Sequence, residues 1–208
     1  MMLIEQLRQA VRTGARRVAG QLDRLSGGHI HPDTITLIGM AMHVPIALLI
    51  ATAHLWWAAG LLIIFGLFDT LDGELARLQK RASVRGMLLD ASTDRMKETL
   101  LYTGAAYVLA VGPHPATAAW AAAACGASIC VSYVKAKGEV AVAAGETTIP
   151  HDKLNRMFKD GLLTFELRMA VLVAGLILNQ LPVAVALIAV LAGFTAVQRL
   201  VRISQQLS

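Results

Sequence analysis

Charge is scarce in this chain. Of its 208 residues 16% are Asp, Glu, Lys or Arg, where an ordinary soluble domain carries about 25%. With 56% hydrophobic residues and a mean hydropathy of +0.58, the composition argues against a water-soluble globular domain. Cysteine is nearly absent. Cys125 and Cys130 have neither zinc-ligand nor disulfide-framework spacing, and they read as small packing residues in an apolar stretch. His29, His31, His43, His54, His114 and His151 are dispersed without ligand spacing. The N-terminus lacks the basic–apolar–small cleavage pattern of a signal peptide. No internal repeat or low-complexity stretch divides the chain, so 1–208 reads as one domain.

What the chain does have is long apolar runs. A membrane span needs about 20 mostly apolar residues, and six stretches qualify, near 34–53, 55–76, 87–111, 115–136, 161–179 and 182–203. They predict an all-α integral membrane protein with six transmembrane helices bundled over 34–203. Ahead of them, Leu3, Leu7, Val11, Val18, Leu22 and Leu25 recur at helical spacing, with Arg8, Arg12, Arg16, Arg17 and Arg24 between. This pattern predicts an amphipathic juxtamembrane helix over 2–25, lying either in the headgroup layer or on the protein's own loops. Ser26-Gly27-Gly28 ends it, and His31-Pro32-Asp33-Thr34 starts the next helix with Asp33 or Thr34 near the cap.

Basic residues are also missing from particular places. The connections near 53–55, 111–116 and 179–182 contain no Lys or Arg, while all 19 basic residues fall in the N-terminal segment, near 77–97, within 135–168, or at 199–202. Such asymmetry predicts a multi-pass protein of the cell membrane with both termini and the 77–86 and 137–160 loops in the cytoplasm. It also makes nucleic acid an unsuitable partner for the net charge of +5.

The acids are the informative exception to the scarcity of charge. Asp69 and Asp72 share a helix face at the end of the second stretch, and Asp90 and Asp94 share one at the start of the third. The turn Lys80-Arg81-Ala82-Ser83-Val84-Arg85 joins the two helices, so the pairs can face each other in an antiparallel hairpin. Four converging carboxylates repel unless cations neutralise them, and hard, oxygen-preferring ions such as Mg²⁺ suit them. Two ions about 3.5–4 Å apart can clamp a phosphoryl group during in-line displacement. Gly73 and Ala76 leave room for a ligand near the backbone, and Arg77 and Arg85 can balance phosphate charge.

The same segment resembles the signature of the CDP-alcohol phosphotransferase family, D-x-x-D-G-x-x-A-R, eight residues, then G-x-x-x-D-x-x-x-D. Every fixed position is present: Asp69, Asp72, Gly73, Ala76, Arg77, Gly86, Asp90 and Asp94. The resemblance implies a six-helix homodimer and two divalent metal ions, Mg²⁺ or alternatively Mn²⁺. Asp69, Asp72 and Asp90 would bind the first ion, and Asp90 and Asp94 the second. Asp94 would be the base that activates an alcohol for attack on the β-phosphorus of a CDP-linked lipid, expelling CMP. The donor would be CDP-diacylglycerol or an ether-lipid analogue, the acceptor a polar alcohol, and membrane lipids the surroundings. The family's P-[ND]-x-x-T stretch corresponds here to Pro32, Asp33, Thr34 and Thr36, which with Gly73, Arg77 and Ser83 would hold the donor.

Ser132-Tyr133-Val134-Lys135-Ala136-Lys137 and Val197-Gln198-Arg199 further resemble the prokaryotic branch that makes phosphatidylinositol phosphate, or its archaeal ether-lipid counterpart. Lys135 and Arg199 match its phosphate-binding positions, and Arg168 would supply a third cation for the acceptor phosphate. Where that branch has G-x-x-E-R-x-E-R, this chain reads Gly161-Leu162-Leu163-Thr164-Phe165-Glu166-Leu167-Arg168 and lacks one arginine. Inositol phosphate is the expected acceptor. Glycerol phosphate would need the same cations and remains open, and from a different class so does a cation transporter using the acids.

Overall fold

The computed structural model describes residues 2–144 and 163–207, so most of the expected 137–160 loop lies outside the described residues. All the elements are helical: α1 (Met2–Ser26), α2 (Pro32–Ala51), α3 (Leu55–Gly66), α4 (Phe68–Leu78), α5 (Val84–Ala110), a 3-10 turn at Pro115–Thr117, α6 (Ala118–Ala144), α7 (Phe165–Ile177) and α8 (Leu181–Leu207). No strand occurs among the described residues. The chain divides into two compact units, 1–49 with 57–101 and 50–56 with 102–208.

In the first unit, α1 packs on α4. Ala19, Ile35 and Leu75 form the buried centre, with Leu22, Ile30, Phe68 and Leu71 packed against it. Phe68, Leu71 and Leu75 fall at helical spacing, so one face of α4 meets α1 and α2. Gly39 permits that approach, because a Cβ there would lie 3.3 Å from Phe68 Cβ. Polar ties fix α1 further: Arg12 pairs with Glu74 at 2.7 Å, and Gln79 donates to Asp23 Oδ1 at 2.7 Å and to the Ile30 carbonyl at 3.0 Å. Thus α1 rests partly on its own protein, while Val18 and Leu25 point outward.

Local chemistry sets the helix ends. Proline at N1 of α2 loses no hydrogen bond there, and the His31 ring accepts from the Asp33 amide at 3.2 Å, so His31 occupies the cap position expected of Asp33 or Thr34. Between α3 and α4 the backbone tightens at Leu67, whose amide reaches the Ile64 carbonyl at 3.3 Å. The second expected span is therefore two helices, with the break just before Asp69. After α4, Lys80 adopts φ 56° and the Arg81 amide returns to the Ala76 carbonyl at 2.9 Å, a left-handed closure that stops the helix. Ser83 then caps α5, its hydroxyl accepting from the Gly86 amide at 3.0 Å.

In the second unit, α6 runs along α8 and α7 packs on α8. Ala121, Ala124, Ser128 and Val131 bury one stripe of α6, and Val185, Ile188, Ala192, Thr195 and Arg199 bury one of α8. Small residues in these stripes let helices approach closely. At Gly175 the approach is so tight that an added Cβ would collide with the Ala184 side chain. Thr195 Oγ1 also accepts from the Leu163 amide at 3.2 Å.

Among the described residues, four helical segments are long and apolar enough to cross a membrane: Pro32–Ala51, Leu55–Leu78, Pro115–Val142 and Leu181–Gln205. Six were expected from sequence. Helix α5 has the length, but it carries Asp90, Asp94, Arg95, Lys97 and Glu98, and α7 spans 13 residues. Val183, Leu187, Val190, Phe194 and Val197 lie exposed on α8, as a lipid-facing helix surface requires. Cys130 is exposed as well, so it is not the packing residue expected.

Candidate metal and substrate site

The acid hairpin forms within the first unit. One carboxylate oxygen from each of Asp69, Asp72 and Asp90 lies within 4.8 Å of the others. Asp69 and Asp72 come together because they are three apart on α4, and the capped five-residue connection brings Asp90 of α5 to them. Asp72 is buried, and its Oδ2 accepts from the Thr36 hydroxyl at 2.5 Å. Thr36 therefore orients a carboxylate of the cluster. Asp90 Oδ1 is buried with no hydrogen-bond partner among the described residues. A bare carboxylate oxygen is costly to bury, and ligation of a cation removes that cost. The donor set is all oxygen, which suits a hard divalent ion with oxygen preference.

Asp94 is held differently. Its Oδ1 lies 3.4 Å from Lys97 Nζ and its Oδ2 lies 3.6 Å from Arg95. Lys97 also donates to Asp69, so one ammonium joins α4 to α5. The sequence reading missed Lys97. Its position three residues after Asp94, within an apolar stretch, was the available signal.

The expected donor contacts separate into two groups. Pro32 is buried and Thr34 exposed. Gly86 lies beside both Ser83 and Asp33, because a Cβ there would sit 3.3 Å from Ser83 Oγ and 3.8 Å from Asp33 Oδ1. These three share one neighbourhood at the starts of α2 and α5. Gly73 leaves its surface open apart from the tip of Arg77, 3.5 Å from where a Cβ would stand, and Ala76 is half-buried one turn on. Arg77 turns instead to the buried Glu74, at 2.6 Å. With Gln9, Arg12, Thr13, Arg16 and Leu78, these two line a cavity of about 530 Å³. Arg85 is exposed.

In the second unit, Arg168 and Arg199 are 1% and 6% exposed, far more buried than simple cytoplasmic anchors would be. Arg168 donates to the Leu163 carbonyl at 3.3 Å and lies over the Phe165 ring, 5.8 Å from its centroid. Arg199 donates to the Val131 carbonyl at 3.4 Å. Its Nε is buried without a partner among the described residues, as is the Oε1 of neighbouring Gln198. Lys135 is different: it is exposed and 3.8 Å from Glu139, while Lys137 lies over Tyr133 at 5.8 Å.

Comparison with known proteins agrees with this chemistry. The sequence profile of the CDP-alcohol phosphatidyltransferase family matches residues 29–198. A phosphatidylinositol phosphate synthase of Corynebacterium glutamicum is 38% identical over 182 residues, covering 83% of this chain and 77% of that protein. The crystal structure of the Mycobacterium tuberculosis phosphatidylinositol phosphate synthase with CDP-DAG bound superposes with a TM-score of 0.76. It is 26% identical and covers 91% of this chain and 92% of that one. The same enzyme in complex with manganese and citrate gives a TM-score of 0.77 at 25% identity, covering 91% of this chain and 88% of that one. The transporter reading of the acids is set aside by these matches. The chain belongs to the CDP-alcohol phosphatidyltransferase family and is a metal-dependent transferase of phospholipid biosynthesis.

Proposed function

We propose that the chain transfers the phosphatidyl group of CDP-diacylglycerol, or an ether-lipid analogue, to inositol phosphate with release of CMP. The observation that carries this reading is the convergence of Asp69, Asp72 and Asp90, with one buried oxygen of Asp90 left unsatisfied. Asp69, Asp72 and Asp90 would hold one Mg²⁺, and Asp90 with Asp94 a second; when bound, the ions supply electrostatic stabilisation of the phosphoryl oxygens.

The chain's own residues supply the rest. Asp94 takes the proton of the acceptor hydroxyl. The acceptor oxygen bonds to the β-phosphorus as the bond from that phosphorus to the oxygen of CMP breaks, and CMP leaves. Asp33, Ser83 and Gly86 bind the donor's nucleotide together with Pro32, Thr34, Gly73, Ala76 and Arg77. Thr36 serves through Asp72, to which its hydroxyl is committed. The acceptor's phosphate is bound by Arg168 and Arg199. Arg199 Nε, a buried donor without a partner among the described residues, favours an anionic ligand there. Lys135 joins them by exchanging Glu139 for the ligand. The enzyme works as a homodimer with six spans, its active site and both termini facing the cytoplasm.

The purified enzyme, given CDP-diacylglycerol and Mg²⁺, should be offered inositol phosphate, inositol, glycerol phosphate and serine separately. CMP release with inositol phosphate well above the other three is the expected result. Turnover with glycerol phosphate alone would transfer the reading to phosphatidylglycerol phosphate synthesis, and turnover with serine alone would refute a phosphorylated acceptor.

A further inference from the structure

Lys97 is not among the fixed positions of the family signature, which ends at Asp94, yet its ammonium lies inside the acid hairpin. The residue is 1% exposed. Its Nζ donates to Asp69 on α4 and lies 3.4 Å from Asp94 Oδ1, one turn back on its own helix. A buried ammonium is tolerated only with close anionic partners, and here it has two on different helices. Asp69 is the shared element, because it also belongs to the triad with Asp72 and Asp90. An ion entering that triad therefore meets a like charge already bonded to one of its ligands. Lysine suits such an arrangement: it is a compact charge on a flexible stem, able to change partners without moving the backbone.

We propose that Lys97 is a positioning residue acting as an internal counterion. It holds Asp69 against Asp94 when no divalent ion is present, and it competes with the ion for those carboxylates. The proposal rests on the metal-binding reading of the acid cluster. It has two consequences. The metal-free hairpin stays assembled because its repulsion is partly neutralised from within, and ion affinity is set lower than the four acids alone would give.

The test is Mn²⁺ binding to the full-length, detergent-solubilised protein, followed by electron paramagnetic resonance without substrate. Thermal unfolding is measured beside it in chelator and in Mn²⁺. Lys97→Met removes the charge and keeps most of the volume. It should bind Mn²⁺ at least about tenfold more tightly than wild type, since one competing charge has gone. It should also unfold at a lower temperature in chelator, with the deficit narrowing when Mn²⁺ is added. Lys97→Arg keeps the charge and should stay close to wild type. If Lys97→Met fails to fold, Lys97→Gln carries the same expectation. Asp90→Asn separates the two ideas. If it abolishes Mn²⁺ binding while Lys97→Met binds Mn²⁺ with unchanged or weaker affinity, the metal site stands and the counterion proposal is overturned. If wild type and Lys97→Met both bind no Mn²⁺, the metal reading falls and the proposal falls with it.

Discussion

The two units treat buried charge differently. In the first, the acids are supported by their own chain: Thr36 donates to Asp72, Lys97 bridges Asp69 and Asp94, and Arg95 flanks Asp94. In the second, Arg168 and Arg199 lie buried on α7 and α8 with backbone carbonyls as partners. The acid cluster is tied by side chains of its own unit. The arginine pair keeps an unsatisfied donor, Arg199 Nε. The acids therefore gather within one short hairpin, whereas the two buried arginines come from separate helices.

Five substitutions press on this contrast. Asp90→Asn removes the oxygen that most needs a cation, and CMP release should fall about a thousandfold, with Mn²⁺ binding lost in the same preparation. Arg199→Gln should spare divalent binding and lower kcat/KM for the acceptor about a hundredfold, by loss of a buried charged hydrogen-bond donor. An equal loss for every acceptor, phosphorylated or not, would remove Arg199 from acceptor recognition. Thr36→Val frees Asp72 to rotate and should weaken Mn²⁺ affinity about tenfold, as changes behind a metal ligand do. Gly175→Ala should cost about 1–3 kcal/mol by overpacking α7 against α8, read as a lower thermal transition in detergent. Gly126→Ala, with nothing within 4 Å of the new Cβ, should leave that transition unchanged.

The hairpin was legible because its information is local. Asp69 with Asp72, and Asp90 with Asp94, announce shared helix faces through spacing alone, and the basic turn between them announces the reversal. Helix positions were legible for the same reason, though α6 runs on to Ala144 where its apolar run had suggested an end near 136. The tertiary partners were not legible. Nothing in the spacing of Lys97 tells that it reaches Asp69, 28 residues earlier, or that the Thr36 hydroxyl is committed to Asp72, 36 residues later. The break at Leu67 lies within a continuously apolar run, which hides it. Lys135 matched the phosphate-binding pattern directly and Arg168 entered only as a third cation, yet Arg168 is the buried one and Lys135 the exposed one, which is a property of packing.

Asp94→Asn decides whether the acid hairpin is the catalytic centre with Asp94 as its base. CMP release from CDP-diacylglycerol in the presence of inositol phosphate and Mg²⁺ should be measured on protein shown to be folded by its thermal transition. A loss of about 10²–10⁴-fold is expected, the usual contribution of a general base. Normal CMP release from the folded variant would contradict that role.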